Sequence, residues 1–105
     1  MTLRGVWQPL ADAIQELVAR ANAHGIPARI TSGFRTHAQQ RALYRRYLAG
    51  MNPYPVAVPG TSDHEIGLAV DVYTENPGEL ALLGRTWQSW GGVWSDRDAV
   101  HFTVR

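Results

Sequence analysis

The sequence predicts an α+β domain in which helices flank a small, mainly antiparallel sheet. Three observations support this prediction: amphipathic segments with helical spacing, short apolar segments typical of strands, and turn signals between them. A chain of 105 residues can build one modest core but not two, so we expect residues 1–105 to form a single domain.

The first two helices are marked by their ends. Apolar residues recur at helical spacing after Pro9, and Gly25 is a typical stop signal. Thr36 and Gln39 form a capping-box pattern, which predicts that a second helix begins here and continues to Gly50. Both helices are therefore expected before the middle of the chain.

A third helix is predicted over residues 78–90. Four large apolar side chains lie on one of its faces, namely Leu80, Leu83, Trp87 and Trp90. We expect the two tryptophans to pack in the core. Strands are predicted at residues 26–32, 68–73 and 99–104. Residues 50–67 hold three prolines and three glycines without periodicity, and so long an irregular stretch in a compact domain is usually functional or mobile.

Composition excludes several classes of function. Ten arginines against nine acidic residues give a net charge of +1, too small for the basic field of a nucleic-acid-binding protein. No segment approaches the length of a membrane-spanning helix, and the N-terminus does not resemble a signal peptide. Because cysteine is absent, any metal would have to be bound by histidine and carboxylate ligands.

Strand alternation brings together two potential metal ligands. Asp71 and His101 each lie on the less apolar face of a predicted strand, so they meet if the two strands are neighbours. His64, in the turn before the first of these strands, could supply a third ligand. Two imidazoles and a carboxylate leave a tetrahedral zinc with one open position, as in catalytic sites. Asp98, three residues before His101, would be close enough to accept a proton from water there.

Two alternatives are weaker. Each of these residues alone is more often a hydrogen-bonded structural residue than a functional one, but their combination favours a metal site. Ser62, His64 and Asp71 could also be imagined as a serine triad. A serine and a histidine two residues apart on one segment rarely face each other productively, so we disfavour that interpretation.

Four motifs together resemble a known family. Residues 62–71 read S-x-H-x-x-G-x-A-x-D, and residues 98–101 form an acid-x-x-His pair. Upstream, residues 32–44 read SGFRTHAQQRALY, and residues 90–94 read WGGVW. In their order along the chain, the four motifs resemble those of the zinc D-alanyl-D-alanine carboxypeptidases and the related L-alanyl-D-glutamate endopeptidases of phage lysins, which share a hedgehog-type fold.

The resemblance assigns a role to each residue of the constellation. It implies that His64, Asp71 and His101 bind one Zn²⁺ and that Asp98 is the general base. This is consistent with the chemistry, because zinc lowers the pKa of bound water towards about 7 and a carboxylate can accept its proton.

Three further residues are expected to contact substrate. The resemblance implies that Arg35 holds a substrate carbonyl or carboxylate, for which its charged, fork-shaped guanidinium is suited. It also implies that Ser62 lines the substrate pocket. Trp94, in the turn before the last ligand, is expected to form a wall of the cleft.

Departures from the family pattern bear on the subclass. Asp98 occupies a position where the carboxypeptidases usually carry Glu, whereas Asp occurs in the endopeptidase branch; the missing methylene shortens the reach by about 1.5 Å. Phe34 lacks the hydroxyl of the Tyr often found there, and Val93 replaces an acidic residue common in the lysin branch.

The expected function is therefore a zinc peptidase that hydrolyses a bond next to a D-amino acid in peptidoglycan stem peptides, as a D-alanyl-D-alanine carboxypeptidase. The alternatives are an L-alanyl-D-glutamate endopeptidase of a phage lysin and a non-catalytic zinc-binding module. We expect a monomer without nucleic-acid partners that acts on the cell wall, as a phage-released lysin or as a domain of a longer wall enzyme.

Overall fold

Three helices and three strands form the fold in a computed structural model that describes residues 3–105. In chain order the elements are α1 (Gln8–Ala23), β1 (Arg29–Ser32), α2 (His37–Leu48), β2 (Ala69–Tyr73), α3 (Pro77–Ser89) and β3 (His101–Thr103). Two short 3-10 turns, Asp63–Ile66 and Asp96–Asp98, precede β2 and β3. The α+β prediction is confirmed, and so is the capping box at the start of α2.

The sheet has the strand order β1-β2-β3, and both strand pairs are antiparallel. Asp71 lies opposite His101 in the β2–β3 ladder, as the alternation predicted. On its other side Asp71 lies opposite Ser32, after an irregularity in the β1 register. The centre of the sheet thus places an aspartate between a histidine and a serine.

The core lies between one face of the sheet and the helices α1 and α3. Val70, Val72 and Phe102 are fully buried on this face. They pack in one cluster with the apolar stripes of the two helices, which include Leu10, Ile14, Leu17, Leu83 and Trp87. Helix α2 buries only Gln40 and contributes nothing to this cluster. The opposite face of the sheet is therefore left to polar residues.

The predicted burial of Trp90 was wrong. Helix α3 ends at Ser89, and Trp90 is the residue that caps it, with 41% of its surface exposed. Its ring lies 5.4 Å from the Arg20 guanidinium, a cation–π contact at the surface. Trp87, one turn earlier, is buried as predicted, and its indole nitrogen donates to the carbonyl of Thr103 at 2.8 Å.

The irregular stretch before β2 is held by hydrogen bonds to α2 and within itself. Gln40 Nε2 donates to the carbonyl of Ala57 at 3.0 Å, and Glu65 Oε2 accepts from the backbone of Gly60 at 2.8 Å. Glu65 Oε1 also lies 2.9 Å from His37 Nδ1 at the start of α2. Among residues 3–105, no helix has the length and apolar character needed to cross a membrane.

Candidate metal centre and active site

Three potential ligands converge on the open face of the sheet. His64 Nε2 lies 3.1 Å from Asp71 Oδ1, and His101 Nδ1 lies 3.8 Å from the same oxygen. The donor atoms of all three residues lie within 4.8 Å of one another. Asp71 and His101 are paired across the ladder, and His64 comes from the 3-10 turn immediately before β2.

The donor set fits a zinc ion. Tetrahedral zinc with ligand bonds of about 2.1 Å requires donor atoms about 3.4 Å apart, close to the 3.1 and 3.8 Å separations found here. Two imidazole nitrogens and one carboxylate oxygen are also ligands that zinc prefers. The spacing of these donor atoms is thus compatible with a shared metal ion.

His64 is held in the orientation that a ligand needs. Its Nδ1 lies 2.8 Å from the carbonyl of Gly33, an acceptor that favours a proton on Nδ1, and Nε2 faces Asp71. The backbone N–H of His64 donates to Ser62 Oγ at 3.2 Å, which caps the turn. Because His64 is 3% exposed, the ring has little freedom to rotate away.

Arg35 is tied to the same site by three hydrogen bonds. Its Nη2 donates to Asp71 Oδ2 at 2.9 Å, its Nε to Ser32 Oγ at 3.1 Å and its Nη1 to Gln40 Oε1 at 3.3 Å. The two oxygens of Asp71 are therefore divided, because Oδ1 faces the imidazoles and Oδ2 faces the guanidinium. Three of the five guanidinium N–H groups are used, and two remain for a ligand.

The electrostatics keep Asp71 ionised. Burial raises its pKa, but the facing imidazoles of His101 and His64 and the charge of Arg35 outweigh burial and hold the pKa well below its ordinary value. Contact with Asp71 raises the pKa of His101, and burial opposes this rise. Burial also raises the pKa of Asp98, although the charge of His101 acts in the opposite direction. Asp98 is thus the more basic of the two carboxylates.

A cavity of about 360 Å³ opens over this centre. Its lining brings together six of the residues that the sequence predicted, namely Arg35, Ser62, His64, Asp71, Asp98 and His101. The opposite wall comes from the irregular stretch, through residues such as Asn52, Tyr54 and Pro55. The stretch with three prolines therefore borders the site, as its length and irregularity suggested.

Trp94 does not join this group. Its indole nitrogen donates to the carbonyl of Ala99 at 2.8 Å, and its ring packs so closely on α3 that a Cβ at Gly84 would overlap it. Trp94 packs against the hydrophobic core and is absent from the cavity lining, so the structure corrects its expected place in the cleft wall.

Gln40 is the site residue whose role the sequence did not reveal. Its side chain is 1% exposed and links Arg35 to the carbonyl of Ala57 in the cavity wall. The available signal was a polar residue on an otherwise exposed helix, within the segment that carries Arg35. From sequence alone, a glutamine on a mostly polar helix is expected to lie at the surface, and only the tertiary contacts show that Gln40 is buried.

Comparison with known proteins identifies the family. A family model described as D-alanyl-D-alanine carboxypeptidase (VanY) matches residues 4–104. The chain belongs to this carboxypeptidase family. The resemblance recognised in the four motifs is thereby confirmed.

One curated relative in the VanY family is the D-alanyl-D-alanine carboxypeptidase of Enterococcus faecalis (strain ATCC 700802 / V583), 33% identical over 76 residues. The match covers 60% of this chain and 28% of that protein. This chain therefore corresponds to well under half of the length of that relative.

Solved structures of VanY-type proteins have the same fold. The D,D-pentapeptidase VanY of a VanB-type vancomycin-resistance cassette, in complex with Zn(II), superposes with a TM-score of 0.71 at 23% identity, covering 95% of this chain and 73% of that one. The LD-carboxypeptidase LdcB, a structure concerned with peptidoglycan recognition, gives a TM-score of 0.76 at 23% identity, with coverage of 94% and 65%. At such identities the likeness establishes the fold.

Proposed function

We propose that this protein is a zinc-dependent peptidase that hydrolyses a bond next to a D-amino acid in peptidoglycan stem peptides, as a D-alanyl-D-alanine carboxypeptidase. The observation that supports this most strongly is the three-ligand centre His64, Asp71 and His101 at the base of a cavity that also contains Asp98 and Arg35. A purely structural zinc site would need neither a base nor a guanidinium beside it.

His64, Asp71 and His101 would hold the zinc through Nε2, Oδ1 and Nδ1. When bound, zinc supplies a lowered pKa for a coordinated water and polarisation of the substrate carbonyl. Asp98 accepts the proton of the attacking water and returns it to the amine that leaves. Its raised pKa suits this exchange, because a more basic carboxylate is the better proton acceptor.

Arg35 positions the substrate in this proposal. Its guanidinium is fixed by Asp71, Ser32 and Gln40, so its two remaining N–H groups point from a rigid base. Such a group suits a carbonyl oxygen that gains charge, or a terminal carboxylate. Ser62 lines the same cavity, although its Oγ already accepts the N–H of His64.

The related proteins support the same chemistry. VanY is a D,D-pentapeptidase whose structure is a complex with Zn(II), and LdcB is an LD-carboxypeptidase whose structure concerns peptidoglycan recognition. The endopeptidase of a phage lysin remains the second candidate because Asp98 is the residue of that branch. The cell wall is the proposed place of action, with a released lysin or a domain of a longer wall enzyme as its proposed origin and a monomer as the working form.

Product analysis tests the proposed function. Zinc-loaded protein is incubated with a stem pentapeptide ending in D-alanyl-D-alanine, and the products are identified by mass spectrometry. We expect free D-alanine. Cleavage between L-alanine and D-glutamate would instead assign the endopeptidase activity, and no cleavage of pentapeptide or of purified peptidoglycan would favour a non-catalytic zinc-binding module.

A further inference from the structure

A second groove adjoins the catalytic cavity on the other side of Arg35. It has a volume of about 500 Å³ and is bordered by β1, the segment that follows it and α2. Thr31, Arg35 and Leu43 line both spaces, so the groove lies directly beside the cavity. We call this space the basic groove and define it by Arg4, Phe34 and Arg46, which line it and do not line the cavity.

The basic groove carries charge of one sign. Its charged lining residues are Arg4, Arg35 and Arg46, and no acidic residue lines it. Within residues 3–105 neither Arg4 nor Arg46 lies in an ion pair, whereas Arg35 is paired with Asp71. Two guanidinium groups beside the groove thus have their charge available for a ligand.

The groove also offers an apolar surface. Phe34 is 41% exposed, although its other side packs so closely on Gly5 that a Cβ there would overlap the ring. The ring is therefore supported on one side by Gly5, and it lines the groove together with the methyl of Ala42. A fixed aromatic surface flanked by arginines suits an extended peptide that carries a carboxylate.

We propose that the basic groove binds the part of the stem peptide that precedes the cleaved bond, through the free α-carboxylate of its D-glutamate. This inference rests on the proposed function, since it extends the substrate of that site. Because the two spaces adjoin at Arg35, a peptide that extends from the cavity past Arg35 would reach the groove, so one chain could occupy both. An anionic wall polymer could bind the groove without also occupying the cavity, so the adjacency of the two spaces favours the peptide.

The test compares two stem pentapeptides that differ only in this carboxylate. One contains D-glutamate, and the other contains D-isoglutamine, in which the carboxylate is an amide. The wild-type enzyme should cleave the first with a kcat/KM about fivefold higher, as expected for exposed ion pairs. Arg4→Gln and Arg46→Gln should each reduce this ratio, and the double variant should bring it to about one, because the loss falls mainly on cleavage of the acidic peptide.

Arg45→Gln is the matched control. Arg45 is an exposed arginine of the same helix as Arg46, but it lines neither the groove nor the cavity. It should leave the ratio unchanged. An equal loss in Arg45→Gln and Arg46→Gln would mean general attraction by net charge and would overturn the proposal, as would a wild-type ratio of one.

A binding measurement separates this inference from the proposed function. The metal-loaded protein is titrated with the uncleavable tripeptide L-Ala-γ-D-Glu-L-Lys and with its amide form, and NMR shifts are followed at Phe34 and Ala42. If the acidic form binds more tightly and Arg46→Gln removes this difference in affinity, the proposed role of the groove is supported even if no peptide is cleaved. Equal binding of both forms overturns the proposal. It is also overturned if Arg46→Gln lowers activity only on cell walls that retain phosphate polymers.

Discussion

At the scale of single residues, Asp71 links the candidate metal centre to Arg35. Its Oδ1 faces the two imidazoles, and its Oδ2 binds the Arg35 guanidinium. One carboxylate therefore orients both a metal ligand set and a cation. This arrangement also explains why Asp71 stays ionised, because three groups that carry or can carry positive charge surround it.

Asp98 is the general base of the proposed mechanism, and on that proposal its removal should be costly. Asp98→Asn keeps the shape of the side chain but cannot accept a proton, so kcat should fall by about 10²- to 10⁴-fold. Zinc content should not change, because Asp98 is not among the three converging donors. Steady-state kinetics with the pentapeptide and metal analysis provide the two readouts.

Asp96→Asn is the matched control for this variant. Asp96 belongs to the same 3-10 turn but is exposed and does not line the cavity. Its substitution should leave kcat within about twofold of the wild-type value, as for most surface changes. Equal activity of Asp98→Asn and wild type would remove Asp98 from the mechanism.

At the scale of elements, the turn that carries His64 determines the site geometry. Ser62 and Glu65 form a capping box around it, and Gly67 ends it in the left-handed region at φ 75°. A Cβ at Gly67 would overlap the carbonyl oxygen of Gly5. The backbone of Gly67 also accepts a hydrogen bond from Trp7 at 2.9 Å. Glycine is thus required both by the conformation and by the close approach of the N-terminal segment.

Gly67→Ala should therefore destabilise the protein and weaken metal binding. The left-handed conformation alone costs about 1–2 kcal/mol with a side chain, and the overlap with Gly5 adds to this cost. Gly25→Ala is the control, because Gly25 also has a positive φ of 82° but has open space where a Cβ would lie. Urea unfolding should show the larger loss for Gly67→Ala, and only this variant should lose zinc affinity. Equal losses would show that crowding at Gly67 has no effect.

Elements with a clear local signal were predictable from the sequence. These signals are local properties: the periodicity of α1, the capping box of α2 and the alternation in β2 and β3. The strand alternation also predicted the Asp71–His101 pair. Contacts between distant segments were not predictable. The bond from His64 to Gly33 spans 31 residues, and neither periodicity nor propensity indicates it.

The errors have the same origin. Trp90 and Trp94 follow each other closely in an apolar, glycine-rich segment, so pattern alone did not say which ring would be buried and on which side of the sheet. The structure decides this by where α3 ends and by the close packing of Trp94 on Gly84. Such choices depend on tertiary packing.

At the scale of the whole molecule, the helices α1 and α3 cover one face of the sheet and leave the other for chemistry. The first face is stabilised by a fully buried apolar cluster, whereas the second gathers ionisable groups. A metal ion on the second face would therefore join β2, β3 and the His64 turn. Folding and metal binding should be coupled as a result.

Zinc should raise the thermal stability of the protein. At free zinc about 100 times the Kd, linkage adds about 2.7 kcal/mol, which corresponds to a rise in Tm on the order of 10 °C for a domain of this size. Calorimetry with zinc and with a chelator measures the difference. His64→Ala and His101→Ala should abolish the rise, while His24→Ala should keep it, because His24 is exposed and its ring hydrogen-bonds to the Arg20 carbonyl, away from the candidate ligands.

The size of this rise should depend on pH, and the raised pKa of His101 gives the sign. Without metal, the protonated His101 beside Asp71 stabilises the fold below the unfolded pKa of about 6.5, and this contribution is lost as the pH rises through the higher folded pKa. Zinc needs the deprotonated imidazole, so its stabilisation grows over the same range. The difference in Tm between zinc-loaded and chelated protein should widen from pH 5.5 to pH 8. A difference that is constant or narrows over this range would mean that zinc does not bind through His101.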